Sequence, residues 1–271
     1  MAGHRDVFFL SDGTGITAET LGNALLTQFE GVRFETTTLP FIHNVERARS
    51  VVEYLGQVAK QTGARPIVFS TTASDEIRSE LRGAPAFFVD LFDVLVPAIE
   101  EELGQKSSHA QGRAHSIVNG GRYDTRIAAM NYAMEHDDGQ SVRDLNRADV
   151  ILVAPSRCGK TPTCIYLALQ HGVFAANFPL TEDDLTELRL PRSIADLGDR
   201  LFGLTSAIDR LHQIRSERRP GSTYASVAQC AFELRQAEQL YRHYGIPFVN
   251  SEHMSVEEIA ATVIETRRLR R

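Results

Sequence analysis

Val150-Ile151-Leu152-Val153-Ala154-Pro155-Ser156-Arg157-Cys158-Gly159-Lys160-Thr161, followed by Pro162-Thr163 and an apolar-periodic run, decides how this chain of 271 residues is read. Val150 to Val153 predict a buried strand, and the turn after it opens a helix whose unpaired N–H groups and positive dipole end face an anion. The spacing meets the phosphate-loop pattern G-x-x-x-x-G-K-[ST] at every fixed place but the first, where Ala154 stands for glycine. Ala154 with Pro155 predicts a stiffer start than a glycine would give. In such a loop Lys160 bridges phosphate oxygens, the Thr161 hydroxyl holds magnesium, and the N–H groups from Arg157 to Thr161 wrap the anion. Ala154, Pro155, Ser156, Arg157, Cys158, Gly159, Lys160 and Thr161 are therefore the expected phosphate-binding residues, with Lys160 and Arg157 stabilising the transferring charge. Cys158, at a helix start beside Lys160, is expected to carry a lowered thiol pKa and to be sensitive to oxidation.

Outward from this segment the chain alternates. Val7 to Leu10 predict a first buried strand, Ser11-Asp12-Gly13-Thr14-Gly15 a tight turn, and Thr17 to Phe29 a helix. A Gly-x-Gly turn is weak evidence alone, since plain strand-to-helix turns also need glycine. Asp12 and Thr14 would present polar groups at a helix start, where they are candidate substrate contacts. Strands follow at Phe34 to Phe41, Pro66 to Thr71 and Ala86 to Asp90, with helices at Val45 to Gln61 and Asp75 to Leu81. Asp90 is read as a helix cap rather than a magnesium-holding carboxylate. The stretch from Gly104 to Tyr123 reads as a linker or an active-site flap, with a boundary near Gly112 that separates domains 1–111 and 112–271. The fold class expected is α/β, with mostly parallel, doubly wound sheets carrying helices on both faces and the phosphate loop in the C-terminal half.

Arg126 to Met134 predict a helix ending in His136-Asp137-Asp138-Gly139. Carboxylates at a helix C-terminus oppose its dipole, so Asp137 and Asp138 are assigned a site role, as magnesium ligand or base. After the loop, Pro162 to Gln170 form a helix expected to turn Ile165, Leu167, Ala168 and Leu169 inward. Strands are expected at Phe174 to Phe178, Leu201 to Thr205 and Ile246 to Val249. Between them, a helix from Ala207 to Arg219 presents Arg215 and Arg219 on one face, positioned to clamp phosphates. A long helix from Tyr224 to Tyr244 packs on the sheet through Tyr224, Val227, Ala231, Leu234 and Tyr241, or forms the seam of a homodimer.

Composition narrows the function. A net charge of −6 argues against bulk nucleic-acid binding. Arg267, Arg268, Arg270 and Arg271 are read as solvated cations at a helix C-terminus. The absence of a long apolar run predicts no membrane partner and a cytoplasmic protein. Cys158, Cys164 and Cys230 make neither a disulfide set nor a zinc site, which fits a reducing compartment.

Together, Phe9 to Glu19, His136-Asp137-Asp138-Gly139, Ser156-Arg157-Cys158-Gly159-Lys160-Thr161-Pro162-Thr163, Phe202-Gly203-Leu204-Thr205 and Tyr224-Ala225-Ser226 resemble the phosphoenolpyruvate synthase regulatory proteins over essentially the whole chain. These are relatives of the pyruvate, phosphate dikinase regulatory proteins. The resemblance implies a bifunctional enzyme whose partner is phosphoenolpyruvate synthase. It implies ADP as phosphoryl donor, held by the nucleotide-binding stretch from Ala154 to Thr161, to an active-site threonine, which inactivates the target; the phosphate-loop pattern supplies Mg2+ as the metal. It also implies reactivation by inorganic phosphate, with release of pyrophosphate. Two other functions fit the loop alone: an ATP-dependent small-molecule kinase and a non-catalytic nucleotide-binding module.

Overall fold

The computed structural model describes residues 4–108 and 120–269. The chain divides into two compact units, Met1–Ser116 and Ile117–Arg271. The expected boundary at Gly112 lies outside the described residues.

The first unit runs β1 (His4–Leu10), α1 (Ile16–Leu26), β2 (Arg33–Leu39), α2 (Val45–Thr62), β3 (Ile67–Ser70), α3 (Asp75–Leu81), β4 (Phe87–Asp90) and α4 (Leu91–Leu103). The second runs α5 (Gly120–Glu135), β5 (Val150–Ala154), α6 (Lys160–His171), β6 (Ala175–Pro179), α7 (Glu182–Glu187), β7 (Leu201–Thr205), α8 (Ile208–Arg218), α9 (Val227–Tyr244), β8 (Phe248–Asn250) and α10 (Val256–Arg267). Each unit holds a four-stranded sheet, ordered β2-β1-β3-β4 and β6-β5-β7-β8. Every strand pair is parallel, so the doubly wound α/β class holds. Each sheet starts at an inner strand, steps out to one side and then crosses to the other. The winding therefore reverses between β1 and β3 and again between β5 and β7, the positions where open α/β sheets bind ligands beyond their strand ends.

β5 shows why an unbroken apolar run makes a central strand. Val150, Leu152 and Ala154 enter the core on one face, with Cys164, Leu167 and Ile259. Ile151 and Val153 enter the other, with Leu185, Ala237 and Tyr241. A strand covered on both sides has no polar face to show. In the first unit, likewise, Phe8 and Leu10 pack with Leu55 and Ile77, while Val7 and Phe9 pack with Ala18 and Leu91.

Local signals set the ends of elements. The Asn44 side chain accepts from Arg47 N at 2.8 Å to start α2, and Gly63 at φ 67° stops it. Asp90 accepts from the N–H groups of Phe92 and Asp93, each at 3.1 Å, and is the cap expected for α4. Gly104, where the linker was expected to begin, closes α4 at φ 60°. Ser255 and Glu258 form a reciprocal capping box on α10.

Three expectations of facing change. Ile165 and Leu169 are exposed, because α6 turns Lys160, Thr163, Cys164, Leu167 and Ala168 inward instead. Tyr224 precedes α9 in a short 3-10 turn and Val227 is exposed; the buried stripe is Cys230, Glu233, Leu234, Ala237, Leu240 and Tyr241. Arg267 is not free in solvent, since it donates to the carbonyls of Leu201 and Gly198.

Gly203 in β7 has a packing reason. A Cβ there would lie 2.7 Å from the Tyr241 ring and 2.8 Å from Phe248 Cβ. The Tyr241 hydroxyl donates to Val153 O at 2.8 Å, one residue before β5 ends. Gly203→Ala should therefore force Tyr241 away from the strand that carries the phosphate loop. The expected loss is about 1–3 kcal/mol by overpacking, read as a lower urea midpoint.

Candidate functional site

Ala154 is the last residue of β5, fully buried and paired in register with Pro179. Its carbonyl accepts from Leu180 N at 3.0 Å. It is absent from the residues with positive φ, so this position does not use the backbone freedom of a glycine. The turn is made further on, by Arg157 at φ 74° and Gly159 at φ 88°. No atom lies within 4 Å of a Cβ placed on Gly159, so its requirement is conformational, not steric. Arg157 takes the same left-handed region without being glycine, and its side chain is exposed.

Lys160 begins α6 with only 5% of its surface exposed. Its Nζ donates to Ala154 O and Pro155 O, each at 3.0 Å. Burial holds its pKa below the usual lysine value, opposed by the nearby charges of Cys158, Asp138 and Asp137. One ammonium donor of three remains for a ligand.

Beside it, a 3-10 turn over Asp137–Gly139 follows α5, with Asp138 at φ 52°. His136 is buried and anchors that turn, with Nδ1 2.9 Å from Tyr132 O and Nε2 2.6 Å from Arg143 O. The Thr161 hydroxyl donates to Asp137 Oδ1 at 2.8 Å. Asn177 Nδ2 donates to Asp137 Oδ1 at 2.6 Å and to Thr161 Oγ1 at 2.8 Å. Asp138 is exposed next to this triangle. Sequence reading passed over Asn177; the available signal was a lone polar residue between Ala176 and Phe178 in a strand otherwise apolar.

Arg215 lies behind the loop and is fully buried. Its two terminal nitrogens meet the Glu233 carboxylate at 3.1 and 2.6 Å, Tyr224 O at 3.1 Å and Ser156 O at 3.0 Å. Tyr224 lies under the guanidinium, 4.1 Å from ring centroid to Cζ, and donates its hydroxyl to Ser156 Oγ at 3.0 Å. The bidentate partner of Arg215 here is thus Glu233, and the guanidinium grips the backbone of the loop. Burial disfavours its charge, but the Glu233 carboxylate outweighs this and raises its pKa. Arg219 is exposed, 6.0 Å from the Tyr224 ring. Glu233 was also missed; an acidic residue on the apolar stripe of α9 was its trace.

Cys158 reverses its expectation. Its side chain enters the core beside Ala154 and Cys164, 2% exposed, and does not face the helix start. Burial pushes its pKa up to about 11 against the opposing pull of Lys160 and Arg215. At pH 8 its thiolate is about a hundredfold scarcer than that of an ordinary thiol. Native protein should therefore resist iodoacetamide at Cys158, with labelling appearing only in denaturant, as mass spectrometry of the peptide will show.

The structure brings together Asp137, Asp138, the loop from Ala154 to Thr161 and Arg215 in the second unit. Asp12 and Thr14 belong to the first. There Asp12 Oδ2 accepts from Ala73 N at 2.8 Å, tying the turn after β1 to the one after β3, and Thr14 is exposed.

A family model described as kinase/pyrophosphorylase matches residues 7–264. A protein of Alkalilimnicola ehrlichii is 52% identical over 267 residues, covering 98% of this chain and 97% of its own length. One from Hahella chejuensis is 50% identical over 260 residues, 96% of either chain. One from Legionella pneumophila (strain Corby) is 48% identical over 267 residues, 98% of either chain. All three carry the provisional name of a phosphoenolpyruvate synthase regulatory protein. With a matched model across nearly its whole length and relatives at half identity, the chain belongs to the kinase/pyrophosphorylase family.

Proposed function

We propose that the protein regulates phosphoenolpyruvate synthase by two phosphoryl transfers in one cradle. In the first, a threonine hydroxyl of the synthase attacks the β-phosphorus of ADP; the P–O bond to AMP breaks, AMP leaves, and the hydroxyl proton passes to a base. In the second, inorganic phosphate attacks the phosphothreonine, the P–O bond to threonine breaks, and pyrophosphate and the free hydroxyl result. Each reaction sets two phosphate groups side by side, so one anion-binding loop serves both. The observation that carries this reading is the Thr161 hydroxyl hydrogen-bonded to Asp137 beside buried Lys160, at the head of a helix that follows a central parallel strand. The relatives' names supply the choice of partner.

In this reading Lys160 holds phosphate oxygens, and Arg157, exposed at the crown of the loop, reaches the transferring group. Gly159 and the N–H groups up to Thr161 wrap the anion. Asp138 is the candidate to take the proton. A hydroxyl and a carboxylate are hard oxygen donors, so Thr161 and Asp137 fit Mg2+. When bound, Mg2+ would offset phosphate charge. Asp12, Thr14 and Arg219 are proposed substrate contacts, and Arg215 acts through the loop it grips. A cytoplasmic setting fits the reading, and no described helix is long and apolar enough to cross a membrane.

The test incubates the purified chain with the phosphohistidine form of phosphoenolpyruvate synthase and ADP labelled at the β-phosphate, or ATP labelled at the γ-phosphate. Label on threonine from ADP, released as pyrophosphate on adding phosphate, is expected. Transfer from ATP to a small acceptor would replace this reading with a small-molecule kinase. Nucleotide binding without any transfer would leave a non-catalytic module.

A further inference from the structure

We propose that Asn177 is a positioning residue that presets the Thr161 hydroxyl and the Asp137 carboxylate for a divalent cation. The inference rests on the reading of Thr161 and Asp137 as cation ligands and adds the residue that aims them.

The hydrogen-bond inventory carries it. A threonine hydroxyl has one hydrogen and two lone pairs. The Thr161 hydrogen goes to Asp137 Oδ1, and one lone pair receives Asn177 Nδ2, which leaves one lone pair to offer. Asp137 Oδ1 receives both Thr161 and Asn177, whereas Oδ2 takes no hydrogen bond from any described residue. The triangle thus occupies the positions that would compete and leaves one hydroxyl lone pair and one carboxylate oxygen. Hard cations select such a donor pair.

Asn177 is placed to do little else. It is 2% exposed, on β6, with Leu152 of β5 as its register partner. Its own N–H donates to His136 O at 3.0 Å, tying the strand to the Asp137 turn. Its Oδ1 has no hydrogen-bond partner among the described residues. Burying an unpaired amide oxygen is unfavourable, so the amide must gain elsewhere what its oxygen loses. The amide is therefore kept for its two N–H groups. Turning it over would set Oδ1 against the Asp137 carboxylate, so its orientation is fixed by charge.

The full chain and its Asn177→Leu and Asn177→Ser variants are titrated with Mn2+ in saturating ADP, with free Mn2+ read by electron paramagnetic resonance. ADP affinity is measured separately in EDTA, and thermal unfolding checks the fold. Leucine keeps the branched shape of asparagine, with methyl groups in place of the amide atoms, and removes the orphan oxygen, so a purely structural role would leave metal affinity intact in a folded variant. Asn177→Leu should weaken Mn2+ binding about 10- to 100-fold with metal-free ADP binding unchanged. Should Asn177→Leu fail to fold, Asn177→Ser, which keeps one donor in a smaller side chain, supplies the measurement and should show a smaller loss. Wild-type Mn2+ affinity in a folded Asn177→Leu protein, or in folded Asn177→Ser if leucine is not accepted, overturns the proposal. So does a wild-type chain that binds ADP but takes up no Mn2+ beyond what ADP alone chelates. A wild-type chain that binds no ADP instead overturns the reading of the loop itself.

Discussion

Lys160→Ala should lower ADP-dependent phosphorylation and phosphate-dependent dephosphorylation together, each by about a thousandfold, while the protein stays folded. Removing one preorganised charge that faces a developing oxyanion costs on the order of 100- to 1,000-fold, and an ammonium in a buried site lies at the upper end. The fold should tolerate the change. Burial already disfavours the charge of Lys160, and Ala154 O retains its bond from Leu180 N when Nζ is lost. Both reactions should be assayed on one preparation, with urea unfolding as the control. Loss of the kinase with full retention of pyrophosphate release would require two separate phosphate sites and would sink the single-cradle reading.

Glu233→Ala should be the most destabilising single change in the second unit. Arg215 is fully buried and Glu233 nearly so, and both guanidinium nitrogens that carry the pair also reach backbone carbonyls. Removing the carboxylate leaves an uncompensated buried cation, at a cost of about 3–5 kcal/mol. The paired variant Arg215→Met with Glu233→Leu removes both charges and should recover most of that stability. Its ADP affinity should nonetheless fall, because Ser156 O loses its donor and the loop its grip. Urea denaturation and ADP titration of the single and double variants separate the two effects. A double variant with wild-type ADP affinity would mean that Arg215 supports the core alone.

The fold was legible wherever one physical requirement dominates a stretch. Strands covered on both faces must be apolar throughout, so β1, β3, β5 and β7 stand out; Asn44, Asp90 and Ser255 mark helix starts by hydrogen bonding within a few residues, and Gly63 marks a helix end by its left-handed backbone. The loop was legible for the same reason. Asp137 was visible through its conflict with the helix dipole, although its link to Thr161 was not. Asn177, Glu233 and the direction of Cys158 depend on contacts between residues distant in sequence, such as the 40 positions separating Asn177 from Asp137. Helical period alone misjudged Ile165, Leu169 and Val227, because the start of α6 is set by the loop and that of α9 by the Ser226 cap.

The ammonium of Lys160 resting on Ala154 O and Pro155 O has a consequence for selectivity. Those two carbonyls act as an internal competitor for the cation that a nucleotide must recruit. A ligand that draws on more than the one remaining ammonium donor has to displace part of that interaction, so its apparent affinity falls below the intrinsic value by the fraction of molecules in which the lysine is free. Adenosine offers nothing that would outbid two carbonyl oxygens, and AMP only one phosphate. A diphosphate offers several charged oxygens at once. On the proposed reading the cradle is therefore tuned against mononucleotides, and AMP formed in it would be handed back as the lysine returns to its own loop.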